Sequence, residues 1–439
     1  MPNHMQSLAF DPADPRAALA QLPASTAVFA LYGAEAHLEP YIGHTPNLRG
    51  RLERLLQPSA RHPRRLQLAG RVRRIDFRLT GSEFESLLTQ FSLLEGIYGA
   101  KALERMHLRA PAFVRFLGGN PYPRIVVTHR PSQREAEWAY GPFPSRAAAE
   151  RYVDEALKLF LVRRCTDDLA PNPSHPGCVY SEMKMCLAPC YQGCTDERYA
   201  EEAAAVESFL ATRGESRLVT LRAERDAASA HLEFETAAAI HAQVQRVEGV
   251  RALAPELVRP LSRLRAVILQ PSANPDEVAV FLFEHGRLRG PAAFSTLGMR
   301  IQNEQSGSSS LFAQPMALEA IPEAAPALAP TLEAPARPAR GALEARLEAA
   351  LAELALHGEP PSATLRQGHL ALLKRWYYRP EARRTGEIFF ADGEGGWPVK
   401  AMLRGAGRVA AKALGLGKPA STLADTLTVQ GGAQANAQG

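Results

Sequence analysis

Apolar residues recur along this chain at two periods, and the switches between them mark its elements. Residues 26–32 (TAVFALY) form a continuous apolar run of strand length, and residues 39–43 (EPYIG) are short enough to be its hairpin partner. Thr45 and Pro46 then read as a helix N-cap followed by proline at the first helical position. Leu48, Leu52 and Leu55 follow at helical spacing and give one buried stripe. Residues 72–79 alternate apolar side chains with arginine or aspartate, which predicts a third strand. Ser82 and Glu85 stand as the two ends of a capping box, and Phe84, Leu87, Leu88, Phe91 and Leu94 carry a helix onward. Residues 25–108 therefore read as a small α/β domain behind a short N-terminal segment, 1–24.

Residues 109–198 begin as strand text punctuated by proline and glycine, pass through a helix over 146–160, and end in a turn-rich, cysteine-bearing stretch. Residues 199–253 are helical, alanine-rich and charged; the break at Leu232, Glu233 and Phe234 predicts an antiparallel helical hairpin. Strand-like runs at 264–269 and 277–283 open a region spanning 254–301. Residues 302–341 turn into Ser/Gly and Ala/Pro/Glu text (SGSSS, APALAPTLEAPARPARG). Such a composition buries too little apolar area to offset its ordering entropy, so a disordered linker is expected there. A helix-rich piece, 342–418, and a disordered tail, 419–439, complete the reading. The expected fold class is α+β and multidomain, with a smaller C-terminal α/β region beyond the linker.

Composition narrows the function classes. A hydrophobic share of 46% supports ordinary packed cores. No apolar run approaches the length of about 18 residues that spans a bilayer, and the start, Met-Pro-Asn-His-Met, lacks a basic segment followed by an apolar one. A cytoplasmic protein without a membrane partner is expected. The formal net charge is +5, but its distribution says more. Between Arg49 and Arg78 stand Arg51, Arg54, Arg61, Arg64, Arg65, Arg71, Arg73 and Arg74 as well, against Glu53 and Asp76 alone. A guanidinium that neutralises a phosphate also releases condensed counterions, so Arg49, Arg54, Arg61, Arg64 and Arg65 are candidate DNA contacts; the plainer alternative is a solvated arginine-rich face.

All 5 cysteines fall between Cys165 and Cys194. A disulfide scaffold does not suit a large chain without an export signal, whereas clustered thiols suit a metal centre. Cys165, Cys178, Cys186 and Cys190 are spaced C-x(12)-C-x(7)-C-x(3)-C. Four thiolates hold either tetrahedral zinc or an iron–sulfur cluster, and spacing alone does not choose. Cys194 is a fifth candidate, one helical turn beyond Cys190.

Three stretches carry a family resemblance. Tyr41-Ile42-Gly43, with Arg51 after them, resemble a GIY-YIG nuclease, which implies a tyrosine near the nucleophilic water and an arginine at the scissile phosphate. The same resemblance implies a glutamate on a later helix that holds Mg²⁺ or Mn²⁺. The site departs from that pattern at three points. Phe29 stands where the first motif has its tyrosine, and His44 where lysine follows YIG. The helix TGSEFESLLTQ puts Gln90 at the metal-binding glutamate. A glutamine lacks the charge that a hard cation favours. Glu85 and Glu95 lie five residues to either side, about 140° off that face.

YGPFPS (140–145), LFLVRRC (159–165) and MCLAPC (185–190) resemble the text around the cysteines of UvrC, the excision-repair nuclease subunit. That resemblance implies a [4Fe–4S] cluster, with zinc the alternative. Residues 221–247 resemble the UVR motif, which implies a hairpin that pairs with UvrB through apolar tip residues Leu232 and Phe234; His241 and Ala242 replace its usual Arg-Asp. Past residue 296 no catalytic aspartate set and no helix-hairpin-helix pair are found. Residues 370–391 mix basic side chains with Trp376, Tyr377 and Tyr378, either a DNA-stacking surface or half-buried aromatics on an amphipathic helix. Together these expectations describe a UvrC-like DNA-binding subunit of nucleotide excision repair with an inactive nuclease site. The alternative is a Cho-like endonuclease making a single incision.

Overall fold

A computed structural model describes residues 5–35, 37–56, 68–132, 134–166, 168–297, 299, 340–355, 361–393 and 395–414. The expected linker up to residue 339 and the expected tail 419–439 lie outside the described residues. Three four-stranded sheets organise the rest.

The first sheet holds β1 (Gln6–Ala9), β2 (Ala27–Gly33), β3 (Tyr41–Thr45) and β4 (Val72–Leu79), in the order β1-β4-β2-β3. The N-terminal segment is therefore not an appendage to the α/β domain: β1 pairs antiparallel with β4, and Phe10, Leu19 and Leu22 enter the domain's core. Pairing of Phe29 with Gly43 and of Leu31 with Tyr41 sets one face of the hairpin. Because side chains alternate across a strand, Ile42 and His44 face the other way. The helix Leu48–Leu56 buries Leu48, Leu52 and Leu56 on the first face. Its start departs from expectation, because Asn47 rather than Thr45 takes a first-turn N–H, that of Gly50, at 2.9 Å. On the second face lies the helix Glu83–Tyr98. Ser82 caps it by accepting the Glu85 N–H at 3.1 Å, while the Glu85 carboxylate reaches past Ser82 to the N–H of Gly81 at 2.9 Å. The expected capping box is thus closed one residue early.

The second sheet holds β5 (Ala112–Phe116), β6 (Ile125–Thr128), β7 (Ala139–Phe143) and the two-residue β8 (Arg259–Pro260), in the order β6-β5-β7-β8. The helix Arg146–Ala156 covers it, stopping four residues short of the expected 160. The stretch expected as a hairpin over 199–253 opens instead with a separate helix, Asp196–Ala211, which buries Tyr199, Val206 and Phe209 in the core of this sheet. The hairpin is the pair Glu215–Ala230 and Phe234–Ala252, zipped at its root by Leu218, Leu221, Val244 and Val247.

The third sheet holds β9 (Ala266–Pro271), β10 (Glu277–Glu284), β11 (Arg287–Ser295) and β12 (Glu387–Phe390), in the order β11-β10-β9-β12. This corrects the expected division. The middle region and the C-terminal region share one sheet, since β12 pairs antiparallel with β9. The helices Arg340–Leu354 and Val399–Ala413 pack on one face of this sheet. The helix Ala363–Tyr377 packs on the other, where its core merges with that of the helix Glu83–Tyr98 through Phe84, Leu88, Phe91, Leu373 and Trp376. Trp376 is 3% exposed and donates its indole N–H to the Thr385 carbonyl at 2.9 Å; Tyr378 donates to the Pro142 carbonyl at 2.8 Å. These rings are packing groups, not a stacking surface for bases. Among the described residues no helix is long and apolar enough to cross a membrane.

Candidate nucleic-acid site and cysteine centre

The hairpin β2–β3 and the helices on its two faces hold the five nuclease-like positions as two separate pairs, with Arg51 on the helix beside the first. Phe29 is buried, and its ring lies 6.1 Å from that of half-exposed Tyr41 on the face shared with the helix Leu48–Leu56. A Cβ on Gly43 would come within 3.0 Å of the Phe29 ring, so the glycine is what lets that ring lie under β3. Phe29 thus serves the core and offers no polar atom to the edge. Arg51 is half-buried on the same helix, and no side-chain partner is recorded for it among the described residues.

His44 and Gln90 meet on the opposite face. His44 Nδ1 lies 2.7 Å from Gln90 Oε1. An amide oxygen only accepts, so in this arrangement the imidazole donates from Nδ1 and leaves Nε2 as the ring's remaining polar atom. The two positions that depart from the family pattern on this face satisfy one another. Neighbouring Glu83 is bound by Arg379 of the C-terminal region through two contacts at 2.7 and 2.5 Å. That guanidinium holds the Glu83 carboxyl below its usual range, with smaller contributions from Arg375 and His44. Glu85 is spent on Gly81 and stands 3.8 Å from Arg78; burial raises its carboxyl. Neither glutamate is free to serve as a replacement metal ligand beside Gln90.

The proposed DNA arginines divide likewise. Arg49 donates Nε–H to the Leu22 carbonyl at 2.6 Å and is half-buried, a structural role. Arg54 is exposed and donates Nε–H to Gly50 at 2.9 Å, which leaves its outer nitrogens toward solvent. Arg61, Arg64 and Arg65 lie outside the described residues.

The cysteines occupy a loop-rich stretch built on left-handed residues Lys184, Ala188 and Gln192. Burial pushes the Cys186 thiol up, the Ala188 N–H offsets part of that, and Cys178, Cys165 and Cys190 add to the rise. Cys190 is raised by burial, offset by the Tyr191 N–H and raised further by Cys178 and Cys165. These four thiols therefore share one neighbourhood. Cys194 is raised by burial and then by Asp196, and of the other cysteines it feels Cys190. The Ala188 N–H donates to Cys186 Sγ at 3.1 Å, and Arg163 reaches Cys165 Sγ at 3.9 Å. Donors aimed at sulfur favour thiolate, the form that binds metal. In donor chemistry the set fits a soft metal or cluster, although no three His, Cys, Asp or Glu side chains among the described residues already stand in a ligating arrangement.

At the hairpin tip Leu232 is 71% and Phe234 67% exposed, with Leu232 in the left-handed region at φ 60°. This apolar pair at the end of two helices stands open among the described residues, the kind of exposed apolar surface that marks a contact site.

Comparison with known proteins defines the class first. Residues 113–209 match the family described as UvrC/Cho excinuclease, middle domain. That stretch runs from β5 through the cysteines to the helix Asp196–Ala211. UvrABC system protein C of Alcanivorax borkumensis is 29% identical over 238 residues, 54% of this chain and 39% of its own length. The protein of the same description from Pseudomonas syringae pv. syringae is 30% identical over 238 residues, again 54% and 39%; that from Aliivibrio salmonicida is 26% identical over 287 residues, 64% and 46%. No solved structure matches. The chain is UvrC-like over about half its length, and its match spans less than half the length of these relatives.

Proposed function

We propose that this chain is a DNA-binding component of nucleotide excision repair that engages UvrB through its helical hairpin and whose GIY-YIG-like edge holds DNA without cutting it. The observation that carries this reading is the 2.7 Å contact between His44 and Gln90. Where the resemblance calls for a lysine and a metal-binding carboxylate, this chain has two groups that hydrogen-bond to each other and offer a cation no charged oxygen. Phosphodiester hydrolysis of the metal-assisted kind needs that cation to polarise the phosphate and stabilise developing charge. Tyr41 and Arg51 remain able to contact a phosphate.

Cys165, Cys178, Cys186 and Cys190 are the residues that would hold a [4Fe–4S] cluster, with zinc as the alternative occupant and Cys194 at the margin. In this reading the cluster would supply no chemistry to the DNA; held by these four thiolates, it would cross-link the stretch from Cys165 to Cys190 internally.

A nicking assay on damaged duplex with UvrB and Mg²⁺ or Mn²⁺ tests the site. The expected result is binding without incision, and incision gained or raised in Gln90→Glu. Robust cutting by the unmodified chain that disappears in Tyr41→Phe or Arg51→Ala would establish the Cho-like endonuclease instead.

The partner assignment rests on the tip. Truncating a buried aromatic anchor costs an interface about 2 kcal/mol or more, so Phe234→Ala should weaken capture of UvrB by roughly thirtyfold, since 1.4 kcal/mol is tenfold. Because Phe234 is 67% exposed and belongs to no core cluster among the described residues, the variant should unfold like the parent. Equal capture by both would remove the tip from the interface.

A further inference from the structure

A groove of about 560 Å³ runs between the helices Arg146–Ala156 and Phe234–Ala252, at the root of the hairpin and away from the nuclease-like edge. Its floor is apolar, made by Leu159, Val250 and Leu253, and its walls carry Arg151, Glu155 and Lys158 on one side and Arg246 on the other. Inside it Glu155 pairs with Lys158 at 2.7 Å, so those two charges cancel. Of the carboxylates just outside, Glu150 is held by Arg146 at 2.6 Å and Glu248 by Arg222 at 2.9 Å. Arg151 and Arg246 are exposed, and no hydrogen bond or ion pair is recorded for either among the described residues. Two unspent guanidiniums thus face each other across a trough in which Gly249 leaves open space, since a Cβ there would meet nothing within 4 Å.

We propose that this groove is a second nucleic-acid contact, which seats a phosphodiester backbone with Arg151 and Arg246 each on a phosphate. Guanidinium matches phosphate with paired N–H donors, and the chain's positive net charge favours a polyanion. The aliphatic floor carries no aromatic ring, so bases gain no stacking platform there. Contact is with backbone and sugar, and it is indifferent to base sequence. The groove lies between the middle-domain helix and the hairpin, so DNA seated there would run past the proposed UvrB-binding arm. The inference rests on the reading of the chain as a DNA binder, but not on the nuclease-like edge.

The test is a salt titration of labelled duplex DNA binding to the full chain. Each phosphate contact contributes about 0.9 to the slope of log K against log salt. Arg151→Ala/Arg246→Ala should therefore lower the slope by about 2 and weaken binding at low salt by at least about tenfold. Arg346→Ala, on a helix of the third sheet, controls for simple loss of charge. Gly249→Leu fills the trough where the fold has room, and should weaken binding without loss of stability. If the unmodified chain binds no DNA, the DNA-binding reading fails along with this one. If it binds but the double variant keeps the parental slope, or loses no more than Arg346→Ala, or Gly249→Leu binds as the parent does, the groove assignment alone is overturned. Displacement of DNA by polyglutamate at equal charge would overturn it too, marking an acidic-peptide groove.

Discussion

Replacing Gly81 by alanine should break the seam between the first and third sheets and cost about 3 kcal/mol, the upper end of overpacking penalties. An added Cβ would lie 2.2 Å from the Ser272 carbonyl carbon, 2.3 Å from the Pro271 oxygen and 2.5 Å from the Ala273 nitrogen. All three are main-chain atoms at the turn between β9 and β10, so no rotamer change relieves the contact. A Cβ on Gly368, on the helix Ala363–Tyr377, would come similarly close, 2.0 Å from the Phe91 ring. There the obstacle is a side chain that can tilt, and the expected cost is smaller. The same seam carries the Glu83–Arg379 ion pair, with Glu83 45% and Arg379 28% exposed. Exposed pairs contribute about 0–1 kcal/mol, so Arg379→Ala should do far less damage than Gly81→Ala. Urea unfolding checks the ranking. Gly81→Ala is expected to lower the midpoint and to separate loss of the first sheet from loss of the third. A single transition at the parental midpoint would show that the seam does not hold the two sheets together.

The seam also explains which parts of the fold could be read in advance. Periodicity placed β2, β4 and the helix Glu83–Tyr98 within a residue or two, because each carries its own apolar pattern over one or two turns or pleats. The elements that were missed are short and depend on distant partners. β1 and β12 have four residues each, and β12 finds β9 more than a hundred residues back. Local text says nothing about such a pairing, and a linker-like composition between them suggested a boundary where the sheet is in fact shared. The start of the helix Leu48–Leu56 was misplaced because Thr45, Pro46 and Asn47 all suit a helix entry. The choice fell to Asn47 because Thr45 remains in β3.

At the candidate site, His44 and Gln90 were each visible as a departure from the family pattern. Their contact was not, since the two residues are 46 positions apart and meet only because β3 packs on the helix Glu83–Tyr98. Arg49 shows a use that its place in the sequence does not suggest. Its place in an arginine-rich stretch suggested phosphate, while the fold spends its Nε–H on the Leu22 carbonyl. Trp376 and its neighbours mixed with basic residues could serve DNA or core, and burial against Phe84 at 5.4 Å decided for core. The groove at Arg151 and Arg246 left no local signal, because the two arginines come from helices about ninety residues apart that become neighbours only in the fold.

Tyr199 should prove the residue on which the cysteine region most depends. It is fully buried, and its hydroxyl both donates to the Pro123 carbonyl at 2.8 Å and accepts the Arg163 N–H at 3.0 Å. Burial drives that hydroxyl's pKa far up, so it stays protonated and keeps its donor role at any working pH. One side chain thereby ties the helix Asp196–Ala211 to the approach of β6 and to the strap that enters Cys165. Truncation to alanine removes a large core ring, a change that costs about 3–5 kcal/mol, a large share of the roughly 5–15 kcal/mol that holds a domain. The more informative variant is Tyr199→Phe, which keeps the ring and its edge-on packing against Tyr122 at 5.4 Å. It leaves the Arg163 N–H, on a residue 3% exposed, without its acceptor. An unsatisfied buried donor costs about 1–3 kcal/mol. If the proposed cluster draws on Cys165, a loosened strap should also lower the iron retained per chain after anaerobic purification, with the helical signal unchanged. A phenylalanine variant that loses stability yet keeps the parental metal content would separate the strap from the cysteine centre; one that keeps both would show that the two hydrogen bonds are dispensable.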